Sequence, residues 1–196
     1  MKLIMLVRAI ILLCIFYLYS LSFPASAESQ ISVGAEQIDQ YLPRLKGKKI
    51  ALVVNQTSKV FDEHLVDALL KKSIDIQMIF APEHGFRGNR DAGEKFDSSI
   101  DTKTGIPLVS LYGKKRKPSL STLKNLDVIV FDIQDVGVRY YTYISSMHYM
   151  MAAAASNNIP FIVLDRPNPN GAYVDGPILN TEFQSFVGMH EIPLLH

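Results

Sequence analysis

Apolar positions recur along the chain in two alternating rhythms. Ile38, Tyr41, Leu42 and Leu45 fall on one helical face that stops at Gly47, a residue suited to a helix C-terminus. The run from Lys49 to Val54 reads as a short strand ending at Asn55-Gln56-Thr57. Asp62 is placed to cap a helix reaching Lys72, with Leu65, Ala68 and Leu69 inward and Lys71 and Lys72 at the negative end of the helix dipole. Ile74 to Phe80 predicts a second strand and Ile106 to Leu111 a third, and Ser119 caps a short helix bearing Leu120 and Leu123. Asp127 to Phe131 is the most strand-like run. Tyr143 to Asn157 predicts a helix with Ile144, Met147, Met151 and Ala155 inward, and Phe161 to Leu164 a fifth strand. Strands that are apolar throughout and alternate with helices predict an α/β fold. Its mostly parallel sheet is covered on both faces and joined by right-handed crossovers.

The first 27 residues break this rhythm. Lys2 and Arg8 precede the apolar stretch from Ala9 to Leu21, and Ala25 and Ala27 flank Ser26 in the A-x-A manner. A secretory leader cleaved after Ala27 is expected, so the domain would run from residue 28 to 196 and work in the periplasm or outside the cell. The apolar stretch is short beside the ~20 residues that span a bilayer, so no stable membrane anchor is expected after cleavage. Bulky Leu13 argues against a lipid on Cys14. Cys14, the one cysteine among 196 residues, would leave with the leader, which excludes a disulfide or a thiolate site in the remainder.

Charge narrows the function further. The whole chain carries 20 basic and 19 acidic residues. The leader takes Lys2 and Arg8 and no acid, leaving a net charge of one negative. That balance lacks the basic footprint of phosphate-backbone recognition, so no nucleic-acid partner is expected.

In open parallel sheets, ligands bind beyond the carboxyl ends of the strands. Four predicted strand exits carry groups capable of chemistry: Asn55; Pro82-Glu83-His84-Gly85; Asp132 to Asp135; and Asp165-Arg166-Pro167-Asn168-Pro169. Turns and caps use the same residue types, so each taken singly has a structural reading as well. Neither the dinucleotide fingerprint nor the phosphate loop is present, and Gly85-Phe86-Arg87-Gly88 has neither the spacing nor a following helix, so no NAD, ATP or other cofactor is expected. A serine hydrolase would need a G-x-S-x-G turn. Ser145-Ser146 instead falls inside a predicted helix, with hydroxyls expected to bond back to the backbone. Carboxylate chemistry remains: Glu83 beside His84, with Asp132 and Asp135 from another exit, can divide acid and base roles if their surroundings separate their pKa values. The same four side chains could ligate a metal, although their spacing fits no defined metal motif.

The motifs resemble one family. Asn55-Gln56-Thr57-Ser58, Ala81-Pro82-Glu83-His84-Gly85-Phe86-Arg87-Gly88 with Asp91-Ala92-Gly93-Glu94, Phe131-Asp132-Ile133-Gln134-Asp135-Val136-Gly137-Val138-Arg139-Tyr140-Tyr141-Thr142-Tyr143, and Leu164-Asp165-Arg166-Pro167-Asn168-Pro169 are similar to the exo-β-N-acetylmuramidase family, from about Ile31 to His196. The resemblance implies an exo-acting glycoside hydrolase that removes N-acetylmuramic acid from the non-reducing ends of peptidoglycan fragments. It also implies a Rossmann-like N-terminal domain and a cleft completed by a second, C-terminal domain. Glu83 matches the family's candidate acid, and Asp132 and Asp135 match its second acidic motif, to act in catalysis, position the sugar or hold Arg139.

A muramyl substrate carries a lactyl carboxylate, which suits a planar guanidinium. Arg87, Arg139 and Arg166 each lie beside an acidic motif, so at least one is expected to bind that group unless it only neutralises its neighbour. Asn55, His84, Tyr140, Tyr141 and Asp165 complete the expected substrate contacts. Tyr143 is expected nearer the core, His148 to be structural and His64 to lie on a helix surface. The resemblance further implies continuation beyond the Gly188 to His196 segment, and here the chain stops. The expectation is the N-terminal part of a split or truncated enzyme, a separate C-terminal half being the partner in the first case, with Ile192, Leu194 and Leu195 needing a partner surface or a packed groove for cover. A non-catalytic domain binding cell-wall sugar is the reading from another class.

Overall fold

The computed structural model describes residues 5, 8, 10, 11, 31–83, 85–88, 99–113 and 116–196. The chain divides into two units, Met1–Ile31 and Ser32–His196. In the first, Met5, Arg8, Ile10 and Ile11 are helical and exposed; most of the expected leader, including Cys14 and the A-x-A site, lies outside the described residues. No described helix is long and apolar enough to cross a membrane.

The second unit begins with a 3-10 turn, Gly34–Glu36, and helix α1, Ile38–Leu45. Strand β1, Lys49–Val54, leads into a small hairpin of β2, Lys59–Val60, and β3, Glu63–His64, and then into helix α2, Leu65–Lys71. There follow β4, Asp75–Ala81; β5, Ser99–Ile100; β6, Pro107–Ser110; α3, Leu120–Leu123; β7, Val128–Asp132; α4, Tyr143–Ser156; and β8, Phe161–Val163. The sheet order is β5-β6-β4-β1-β7-β8. All neighbours are parallel except the antiparallel β5–β6 edge, which the hydrophobic pattern did not announce because Ser99 and Ile100 are exposed and too few to show a period.

The chain therefore walks outward from β1 through β4 to β6, then returns to the other side of β1 with β7 and β8. This is the doubly wound order, and its reversal falls between β1 and β7. Alternation within β1 sends Ile50, Leu52 and Val54 to a core shared with Tyr41 and Leu45 of α1 and Leu65 and Leu69 of α2. Ala51 and Val53 face a second core with Leu123 of α3 and Met150, Ala153 and Ala154 of α4. A sheet covered on both faces has only its strand ends available for binding.

Two helices differ from expectation. Phe61 and Asp62 form the turn of the β2–β3 hairpin, with Phe61 at φ 53°, so Asp62 does not cap α2; His64 does, its Nδ1 accepting from the Val66 N–H at 3.3 Å. In α4 the buried side is Tyr143, Ser145, Ser146, Met150, Ala153 and Ala154, while Met151 and Ala155 face solvent. That segment is apolar almost all round, so its sequence contains no strong stripe to fix its rotation. Ser145 Oγ is buried without a hydrogen bond, not bonded back to the helix, unlike Ser156 Oγ, which donates to the Ala152 carbonyl at 2.8 Å.

Candidate active site

Because five strands run parallel, their carboxyl ends share one edge, and each leaves a chemically capable residue there. Asn55 follows β1, Glu83 follows β4 by two residues and Tyr112 follows β6 by two. Asp132 closes β7, with Asp135 three further on, and Asp165 follows β8 by two. The edge is stitched across the β1–β7 reversal. Asn55 Oδ1 accepts from the Thr57 N–H at 2.9 Å and from Thr57 Oγ1 at 2.6 Å, and the Gln134 N–H donates to Thr57 Oγ1 at 3.0 Å. The Asn55 N–H donates to Ser58 Oγ at 3.0 Å, and Ser58 Oγ donates to the Asp132 carbonyl.

The carboxylates expected to act together occupy different surroundings. Asp132 is fully buried, and Arg166 grips both of its oxygens, Nε at 2.6 Å and Nη2 at 3.0 Å, while Nη2 also donates to the Lys59 carbonyl at 2.7 Å. Burial drives the Asp132 carboxyl up and Arg166 draws it back. The pair anchors the exits of β7 and β8, and Arg166 also lines the cavity around Asp135. Glu83 is half-buried. Its charge is the leading cause that raises the pKa of the Tyr112 phenol. It also contributes to pushing Tyr143 up to about 12, behind burial and the neighbouring Tyr141. Tyr141 and Tyr143 meet edge to face at 4.8 Å.

Asp135 lies in a third environment. With Tyr143, Asp165, Arg166 and His196 it lines a cavity of about 280 Å³ whose apolar side is Phe131, Ile133, Ile144 and Met147. That volume is near the lower limit for small-molecule sites. Burial raises the Asp135 pKa, against hydrogen bonds from the Val136 and Gly137 N–H groups and the charge of His196. Glu83 is not among the lining residues. Tyr143 is common to both: it feels Glu83 and forms part of the wall beside Asp135.

The three arginines divide sharply. Arg87 is spent on Asp101, through Nε at 3.2 Å and Nη2 at 3.1 Å, and on Asp67, through Nη1 at 3.3 Å. Arg166 commits Nε and Nη2 to Asp132 and the Lys59 carbonyl, and its Nη1 has no partner among the described residues. All three guanidinium nitrogens of Arg87 are engaged by the two carboxylates. Arg139 uses only Nη1, which donates at 2.7 Å to the carbonyls of Pro177 and Ile192, so Nε and Nη2 have no partner among the described residues. Tyr140 is 62% exposed and Asp165 is exposed. His84 and the Asp91 to Glu94 motif lie outside the described residues. Ile192, Leu194 and Leu195 are half-buried in a groove of their own chain, where Leu195 bridges to Val138 and Asp175. Gly137, at φ +64°, admits this segment: a Cβ there would meet the His196 carbonyl at 2.3 Å. No cluster of three metal-ligating side chains exists among the described residues. Sequence reasoning missed Tyr112 because it considered four strand exits and passed over that of β6. His64 is half-buried where a helix-surface position is expected, because the hairpin that covers it is only two residues per strand.

The fold and its site define a Rossmann-like α/β domain with acidic chemistry at the strand reversal. Residues 50–196 match the family model for the exo-beta-N-acetylmuramidase NamZ N-terminal region, and the chain belongs to that family. A curated relative, the peptidoglycan beta-N-acetylmuramidase NamZ of Bacillus subtilis (strain 168), is 49% identical over 169 residues, covering 81% of this chain and 39% of the relative. Two crystal structures of DUF1343 family proteins from Bacteroides fragilis NCTC 9343 match with TM-scores of 0.74 and 0.75 at 48% and 41% identity. They cover 84% and 83% of this chain and 42% of each structure. The chain thus spans about two fifths of the relatives it matches.

Proposed function

We propose that Ser32–His196 contributes the acid-bearing side of a site that hydrolyses the bond to a non-reducing terminal N-acetylmuramic acid in peptidoglycan fragments. The observation that supports this reading is the placement of Glu83, Tyr112 and Asp135 at exits of parallel strands on one edge, with Asp135 and Tyr143 in the wall of the cavity there. Glu83 is the catalytic acid and Asp135 the second carboxyl group, the pair a glycosidase requires. Arg139 offers its remaining guanidinium donors to the lactyl carboxylate, Tyr140 and Tyr141 flank the sugar, and no metal or organic cofactor takes part. The protein acts outside the cytoplasm, its exported form beginning at Glu28.

The test is release of N-acetylmuramic acid from a chromogenic muramide by the protein as the cell makes it. Glu83→Gln is expected to lower kcat by about 10²–10⁴, the usual contribution of a positioned general acid, with unchanged thermal stability. Muramide binding without hydrolysis by the wild type would transfer the domain to the sugar-binding class, and full activity in the variant would remove Glu83 from the chemistry.

A further inference from the structure

The β1 exit is held by a histidine whose protonation state the geometry fixes. His64 Nδ1 accepts from the Val66 N–H at 3.3 Å, and Nε2 lies 2.9 Å from the Asn55 carbonyl. A carbonyl oxygen only accepts, so Nε2 carries the proton. A ring nitrogen that receives an N–H carries none, so Nδ1 is bare. His64 is therefore neutral, and its two nitrogens join the start of α2 to the Asn55 turn. Phe86 closes over the ring edge to face at 4.6 Å, with the Arg87 guanidinium 4.3 Å from the Phe86 centroid.

The turn that His64 grips also carries the Asn55 side chain. Asn55 is fully buried, its Oδ1 is occupied by Thr57, and its Nδ2 makes no hydrogen bond of ordinary geometry. Through that Oδ1 Asn55 holds Thr57, and Thr57 Oγ1 accepts from the Gln134 N–H beyond β7. A chain of hydrogen bonds thus runs from the α2 cap through the Asn55 turn to the β7 exit.

We propose that His64 is a positioning residue, whose Nε2–H holds the Asn55 turn and, through Thr57 and Gln134, the β1–β7 stretch of the carboxyl edge that carries Glu83, and that protonation of Nδ1 breaks its cap on Val66 and so loosens the α2 end of that hold. The functional part rests on the muramidase reading; the tautomer and the coupling to Asn55 do not. A proton on Nδ1 would face the Val66 N–H donor to donor and place a cation near Arg87. Asp67, on α2, and Asp101, before β6, oppose that repulsion, but both are already engaged by Arg87, and Lys103 adds a further positive contact to Asp67. Burial is the leading cause that lowers the His64 pKa; the hydrogen bond to Asn55 works against it, and the repulsion from Arg87 adds to it. With the folded value below the ordinary 6.5, the unfolded chain binds the proton more readily. Stability from this group is complete above that value and is lost as pH falls below it.

The experiment has two arms on the full chain. Nitrogen-15 histidine spectra are expected to show the Nε2–H tautomer at neutral pH, with the Asn55, Ser58 and Gln134 backbone amides titrating together with His64. An Nδ1–H tautomer, or Asn55 amides that ignore the His64 titration, overturns the proposal whether or not the protein is a muramidase. In the second arm, His64→Asn keeps a good helix cap but is too short to reach the Asn55 carbonyl. Thermal stability at neutral pH should remain within a few degrees of wild type. KM for the muramide should rise about three- to tenfold, the value of one hydrogen bond, and the acid limb of kcat/KM should move to lower pH. A variant with wild-type KM and an unmoved acid limb overturns the proposal. A wild type without muramidase activity sinks the functional reading instead, and the spectra still decide the first part.

Discussion

Asp132 and Glu83 occupy equivalent places, each at the carboxyl end of a central strand, and they do opposite things. Asp132 is sealed at 0% exposure with both oxygens in the fork of Arg166. Glu83 is half-buried, and its charge holds the pKa of the Tyr112 phenol up. A carboxylate at a strand exit is thus defined by what meets it: a saturating cation closes Asp132 into a joint, whereas Glu83 stays partly open to solvent. The same contrast separates Arg87, all three of whose guanidinium nitrogens are engaged, from Arg139, which retains two nitrogens.

The comparison breaks most visibly at the joint. Asp132→Ala leaves Arg166, whose side chain is 8% exposed, without its counter-charge. Removing one partner of a buried pair typically costs about 3–5 kcal/mol, a large part of the stability of an ordinary domain. The expected outcome in chemical denaturation is a midpoint lowered by that amount or a chain that does not fold. A shift below about 1 kcal/mol would show that the pair is not holding the β7 and β8 exits together.

The open arginine comes next. Replacing Arg139 by Met should lower preference for a muramyl over an N-acetylglucosaminyl substrate by roughly 10- to 100-fold, the scale of a charge-assisted hydrogen bond. The loss should appear in KM and should be absent for substrates without the lactyl group. Arg87→Met serves as the contrast, costing stability at the Asp67 and Asp101 cluster and leaving the preference alone.

Much of this was legible in the sequence, and the reasons differ by scale. Long apolar runs such as Lys49–Val54 announced their strands because they are buried on both faces, and Ser119 announced its helix because its Oγ accepts from the Thr122 N–H. The β1–β7 reversal was not legible, since strand order depends on packing across the sheet and every apolar strand presents the same surface to its neighbours. Motif spacing located Glu83, Asp132 and Asp135 on the correct edge. It could not separate their roles, because Arg166 lies 34 residues from Asp132 and only folding shows which arginine is consumed.

Asp135 gives a smaller and pH-dependent effect. Its folded pKa is raised, by burial foremost, above the ordinary 3.8, so the folded chain holds that proton longer than the unfolded one. Stability from this group is therefore present at low pH and declines as pH rises from about 3.8 through the raised value. Asp135→Asn, which has no charge to bury, should flatten that decline. The measurement is the difference between the two unfolding free energies across the acid range. A difference independent of pH would mean that the carboxyl is not desolvated.

The smallest change tests the reactive side of the comparison. Tyr112→Phe deletes the hydroxyl whose pKa the Glu83 charge raises and preserves the ring, so packing beside Leu111 should be kept. Because Tyr112 is at the open edge, water can replace the lost hydroxyl, and the loss in kcat should be only about two- to fivefold, less than a fully buried hydrogen bond would give. Thermal stability should be unchanged, in contrast to Asp132→Ala. If Tyr112→Phe instead lowers the melting temperature as severely as Asp132→Ala, the Glu83 exit is a structural joint as well, and the distinction between the two carboxylates collapses. If activity falls moderately while stability holds, the phenol belongs with Glu83 on the working side of the edge, and the contrast with the sealed Asp132–Arg166 pair is sharpened at the level of one oxygen atom.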